Sequence, residues 1–74
     1  MGRLAGFSAD EAIRKLSRVG FVFDRQAKGS HEIWWNPKTR TRTTVPYHPG
    51  DLPEGTLRAI LRQAKLSIDE FLKL

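Results

Sequence analysis

The sequence has no cysteine, which excludes a disulfide framework, a thiolate nucleophile and any cysteine-based zinc site. Methionine occurs once and asparagine only as Asn36, a composition that leans towards heat-adapted proteins. No apolar run extends beyond a few residues, so no segment is expected to cross a membrane as a helix. The N-terminal stretch "MGRLAGFSADEA" carries one arginine but no apolar h-region, so no secretory signal is expected. Myristoylation at Gly2 is not expected either, because Gly6 and Phe7 stand where a serine or threonine is needed. A reducing cytoplasm suits such a chain.

What is present is a chain of 74 residues, 39% apolar and 28% charged, which reads as a single globular domain over 1–74. So small a core is close to the lower limit for independent folding, and a homodimer or a tight protein partner would help it. Thirteen lysines and arginines against eight acids give a net charge of +5. The excess is concentrated: Arg14 to Arg42 holds eight basic residues and only Asp24 and Glu32 as acids, a local net of +6. RNA, DNA or an acidic protein would suit that surface.

The order of elements follows from local signals. In "SADEAIRKLSRVG", Ser8 and Glu11 form a capping box, Ala12, Ile13, Leu16 and Val19 recur at helical spacing, and Gly20 suits the turn past the end. "FVFDR", "HEIWWN" and "TRTTV" read as three short strands, with "PKTR" turning between the last two. After the loop "YHPGDLP", Pro53 is placed at the first position of a helix carrying Leu57, Ile60, Leu61 and Ala64. Ser67 and Glu70 cap a short terminal helix. The expectation is an α+β fold of order α-β-β-β-α, a three-stranded antiparallel sheet with helices on one face. The other face is left to solvent or a ligand.

Alternation along the second strand separates His31, Ile33 and Trp35 from Glu32, Trp34 and Asn36. The first set is the more apolar and is expected to face the helices with Phe21, Phe23, Thr43 and Val45; Trp34, if outward, could stack on a base, though a core or partner-interface role suits it better. A hairpin closed by "QAKGS" would make Arg25 and His31 cross-strand neighbours. Gly29 would let the backbone approach a phosphate, Lys28 would stand above it, and Arg40 and Arg42 would lie on the neighbouring strand. That arrangement is one imidazole ringed by cations.

Such a group suits RNA, which carries its own nucleophile in the 2′-hydroxyl. The protein then has only to take a proton, hold the phosphate and stabilise the added charge. An imidazole titrating near pH ~6.5 is matched to proton transfer, and neighbouring cations favour its neutral, basic form. A single general base supplies about 10²–10⁴-fold, so a weak ribonuclease is expected, one that leaves DNA intact. Ser30 and His31 are adjacent and point to opposite faces, which rules them out as a nucleophile–base pair. His48, in "VPYHPG", is a second candidate, as general acid or phosphate ligand. The two histidines and the scattered acids have no metal-ligand spacing, and no metal or cofactor is expected.

"GF" at Gly20–Phe21, "RQAKGSH" at Arg25–His31, "VPYH" at Val45–His48 and "EGTLRAILRQAKLSIDEFL" at Glu54–Leu72 resemble the HicA toxins, in order and over nearly the whole chain. The resemblance implies a double-stranded-RNA-binding-domain-like fold and a metal-independent endoribonuclease that cleaves single-stranded mRNA. It also implies a HicB-type antitoxin that covers the active site. His31, in Gly-Ser-His, falls on the family's catalytic histidine. Around it Arg25, Lys28, Gly29, Ser30, Arg40, Arg42 and His48 are the candidate RNA-binding residues. The chain departs from the family at Lys65, where glycine is common; a left-handed helix end there would be strained by roughly 1–2 kcal/mol. The residues by themselves also admit a non-catalytic RNA-binding module, or a domain whose basic face serves only an acidic protein partner.

Overall fold

The computed structural model describes residues 2–74; Met1, where the expected domain begins, lies outside the described residues. Helix α1 (Ala9–Arg18) is followed by strands β1 (Val22–Gln26), β2 (His31–Asn36) and β3 (Thr41–Pro46), then by helices α2 (Glu54–Ala64) and α3 (Ile68–Leu72). The strands form one antiparallel sheet in the order β1-β2-β3. This is the expected α-β-β-β-α arrangement.

Both capping boxes are made. The Ser8 hydroxyl accepts from the Glu11 amide at 3.1 Å while the Glu11 carboxylate accepts from the Ser8 amide at 2.8 Å. Ser67 and Glu70 repeat the pattern at the start of α3, at 3.0 and 2.8 Å. These bonds satisfy amides that the first turn of a helix leaves without partners. Pro53 differs from expectation: it precedes α2 as its cap, in an extended conformation, and Glu54 is the first helical residue. Proline's fixed φ fits either position, so its presence marks the helix start only to within one residue.

Helices α1 and α2 both pack on β3. Leu16, Val45, Leu57, Ile60, Leu61 and Phe71 are buried together, with Leu4, Phe21 and Leu52 sealing the edges. Each such side chain contributes about 1.5–3 kcal/mol by leaving water. Two buried polar groups are fully bonded. Thr43 reaches the Ile60 carbonyl at 3.1 Å and Gln63 Oε1 at 2.9 Å. Asn36 donates to the Val19 carbonyl at 3.0 Å and accepts from the Lys38 amide at 3.0 Å, joining the end of α1 to the β2–β3 turn. Gly20 takes a φ of 108° beside it, and a Cβ there would come within 3.2 Å of Asn36 Oδ1. Both the angle and the space require glycine.

The sheet reverses the expected faces of β2. Thr43 and Val45 do point into the core, but their partners across the ladder are Trp34 and Glu32, and Asn36 is buried on the same side. Residues opposite one another share a face. Ile33, Trp35 and His31 therefore lie on the uncovered face, and Trp34 packs against the core. Phe23 pairs with Trp34 and touches its ring edge-on at 5.7 Å. It nevertheless stays half exposed, because the helices stop at β3 and β2; every residue of β1 is exposed.

Candidate functional site

The β1–β2 hairpin is tighter than the expected five-residue loop. The Ala27 amide donates to the His31 carbonyl at 2.7 Å, so the two strands are joined through Lys28, Gly29 and Ser30 alone. Gly29 has a φ of 67° at the first central position of this turn, where a primed hairpin turn needs a left-handed residue. A Cβ on Gly29 would meet nothing within 4 Å, so the turn's outer surface is open to a ligand.

A bulge between Phe23 and Arg25 shifts the register, and Arg25 faces Ile33 rather than His31. The expected direct pairing of Arg25 with His31 is thus corrected by two residues, the effect of a three-residue rather than a five-residue connection; the extra residue at Asp24 lies beyond Arg25 and shifts only Phe23 and Val22. Because the shift is even, Arg25 still shares the uncovered face with His31, diagonally across the ladder. Its guanidinium is paired with Asp24 at 2.8 Å, and Arg42 reaches the same carboxylate at 3.6 Å.

His31 opens β2 opposite Pro46, and its ring is exposed. Lys28 and Ser30 adjoin it in the turn. Arg42 lies four residues along the sheet, opposite Trp35, roughly 13 Å from His31 at the rise of a β-strand. Arg40 is not on a strand. It ends the β2–β3 turn at the far end of the sheet, with a φ of 58° and its amide bonded to the Asn36 carbonyl at 2.7 Å. A four-residue turn needs a left-handed residue to close, and Arg40 occupies that place. The eight candidates therefore divide: His31, Lys28, Gly29, Ser30 and His48 gather at one end, Arg25 and Arg42 lie along the open face, and Arg40 stands apart.

Sequence reasoning missed three contacts. Beyond the end of the β2–β3 ladder the Tyr47 amide still bonds to the Ser30 carbonyl at 2.9 Å. This brings the Ser30 hydroxyl to 3.3 Å from Nδ1 and 3.2 Å from Nε2 of His48, so it meets the ring edge between the two nitrogens. Tyr47 donates its hydroxyl to Asp10 at 2.5 Å, and that bond, reinforced by the carboxylate's charge, raises the phenol above its usual 10.0. Arg42 lies over the Trp35 ring, 4.6 Å from its centroid. All three depend on register, which the residues concerned do not reveal one at a time.

An open cleft of about 260 Å³ lies between the first turn of α1 and the Tyr47–Gly50 loop. The loop is held there by the Leu52 amide, bonded to the Phe7 carbonyl at 2.7 Å, and by a bridge between Ser8 and Asp51. The cleft falls below the ~300–1,000 Å³ of ordinary small-molecule sites. Among the described residues no three His, Cys, Asp or Glu side chains are grouped to hold a metal ion, and no helix is long and apolar enough to cross a membrane.

The fold is a small α+β domain with two histidines and Lys28 gathered at one end of its sheet. A family model described as "HicA toxin of bacterial toxin-antitoxin" matches residues 9–66, which span α1 to the second residue past the end of α2. The chain belongs to the HicA toxin family. Membership in a toxin–antitoxin family implies an antitoxin partner. No curated protein matches the sequence.

Proposed function

We propose that this protein is an endoribonuclease toxin that cleaves single-stranded mRNA without a metal cofactor and is neutralised by a HicB-type antitoxin. The observation that carries the reading is His31: an exposed imidazole at the mouth of the Lys28–Gly29–Ser30 turn, in a chain of the HicA toxin family. His31 takes the proton of a ribose 2′-hydroxyl; the O2′–phosphorus bond forms and the bond from phosphorus to the 5′-oxygen breaks. The departing oxygen gains a proton from an acid, and the products are a cyclic phosphate and a free 5′-hydroxyl. Lys28 and the open backbone at Gly29 hold the phosphate, and the lysine's charge stabilises the crowded phosphorus. His48, beside the Ser30 hydroxyl in the loop that follows β3, is the acid or a further phosphate ligand.

The test is cleavage of single-stranded RNA in EDTA by the wild-type protein and by His31→Ala, purified identically. Cleavage by the wild type alone supports the reading, and the exposed His31 leaves the fold intact. Equal cleavage by both would assign the activity to a contaminant. Binding by both with no cleavage would make the protein a non-catalytic RNA-binding module.

A further inference from the structure

We propose that Trp35, with Arg42 stacked on it, is a base-stacking subsite for single-stranded RNA. It lies on the same sheet face as His31, and the inference rests on the ribonuclease reading above. The two adjacent tryptophans have opposite fates. Trp34 packs against the core, so hydrophobic burial accounts for it. Trp35 points away from every helix, beside Val22, which is 51% exposed. Its indole is half-buried like that of Trp34, but what covers it is the neighbouring strands and Arg42 rather than the core.

The surroundings suit a nucleotide. The Arg42 guanidinium, 4.6 Å from the Trp35 centroid, leaves the pair as two delocalised planes in contact at the surface. Bases stack on indoles and on guanidinium planes alike. The arginine also offers charge to the phosphate of the same nucleotide. Asp24 engages Arg25 and Arg42 in the free protein, but exposed ion pairs of this kind hold weakly, and a phosphate can replace the carboxylate. A carboxylate on a protein partner would satisfy the arginines, but covering the indole would take a separate aromatic side chain. A nucleotide supplies both in one repeating unit.

Alternation supplies the path. His31, Ile33 and Trp35 form one row, spaced roughly 6.6 Å apart. A strand whose scissile phosphate sits at His31 runs over Ile33 and onto Trp35, with Arg25 and Arg42 flanking it. The β2–β3 turn, with Lys38 and Arg40 exposed, continues the positive charge beyond.

The test is the affinity of a short fluorescein-labelled single-stranded RNA, read by anisotropy in a His31→Ala background so that nothing is cut. Trp35→Ala should bind about 5- to 150-fold more weakly, the worth of one stacked base, while Trp35→Phe stays close to the parent. In the cleaving protein Trp35→Ala should raise KM and leave kcat unchanged. Unchanged affinity in Trp35→Ala overturns the subsite and assigns this face to a protein partner. Should Trp35→Ala lose its thermal transition, Arg42→Gln decides instead: weaker binding with a salt slope shallower by about 0.7 supports the subsite, and no change overturns it. Failure of the parent protein to bind RNA sinks the ribonuclease reading itself. Binding that depends on Trp35, without cleavage by the wild type, sinks the nuclease and keeps the subsite.

Discussion

Lys65 ends α2 in the left-handed conformation, with φ 62° and ψ 36°, and is exposed there. Its amide bonds to the Arg62 carbonyl at 3.2 Å, and the next amide, of Leu66, bonds to the Leu61 carbonyl at 3.0 Å. These two bonds belong to the backbone and survive any side chain. What lysine adds is the clash of its Cβ in left-handed space, about 1–2 kcal/mol. Glycine removes the clash but has more unfolded-state freedom to lose, about 0.4–1 kcal/mol. The net expectation for Lys65→Gly is a gain of about 0.5–1 kcal/mol. For a domain of this size that raises Tm by about 3–6 °C. Calorimetry or a circular-dichroism melt reads it directly, with Lys65→Ala as the control. Alanine keeps the Cβ and loses the charge, so its melt should match the wild type. Refutation would be Lys65→Gly melting at or below the wild type, or Lys65→Ala gaining as much as glycine does. The first result would mean the cap is unstrained; the second would make the effect electrostatic.

Asn36→Ala should destabilise the fold by about 1–3 kcal/mol, since it empties a buried site and removes the part-buried bonds to the Val19 carbonyl and the Lys38 amide, and urea titration at constant m-value measures it. The Glu11 and Glu70 carboxylates are held below their ordinary value of 4.5, first by the hydrogen bond from the backbone amides of Ser8 and Ser67 and then by the serine hydroxyls. Depressed carboxylates stabilise fully above the unfolded value and lose that contribution as pH falls through the folded one. The double variant Glu11→Gln, Glu70→Gln should therefore be less stable than the wild type at pH ~6 and converge with it near pH ~3. A constant difference between the two melts across that range would contradict the assignment. Two further outcomes, loss of cleavage in His31→Ala and weakened RNA binding in Trp35→Ala, complete the set.

Much of this molecule is written in local sequence. Ser8 with Glu11 and Ser67 with Glu70 mark two helix starts because a capping box is complete within four residues. Gly20 and Gly29 mark the two sites where the chain turns through left-handed space on glycine beside β1. His31 at the start of β2 was legible because its strand, HEIWWN, is bounded by turn residues on both sides. The element order, and with it the α+β class, follows from these signals.

Tertiary structure alone decided which face each side chain serves. A β-strand's own residues distinguish its two sets of side chains but do not say which set is covered, and β2 carries a tryptophan in each. Thr43 and Val45 point inward as expected. Their true partners follow from the number of residues in the β2–β3 turn, and one residue of difference flips an entire strand. That step placed Trp34 against the core and Trp35 beside Arg42 on the open face. The short β1–β2 turn likewise moved Arg25 along the ladder, and the β2–β3 turn's need for a left-handed residue took Arg40 off its strand. Short-range hydrogen bonding determined the elements from sequence; register, a long-range quantity set by packing, determined the site.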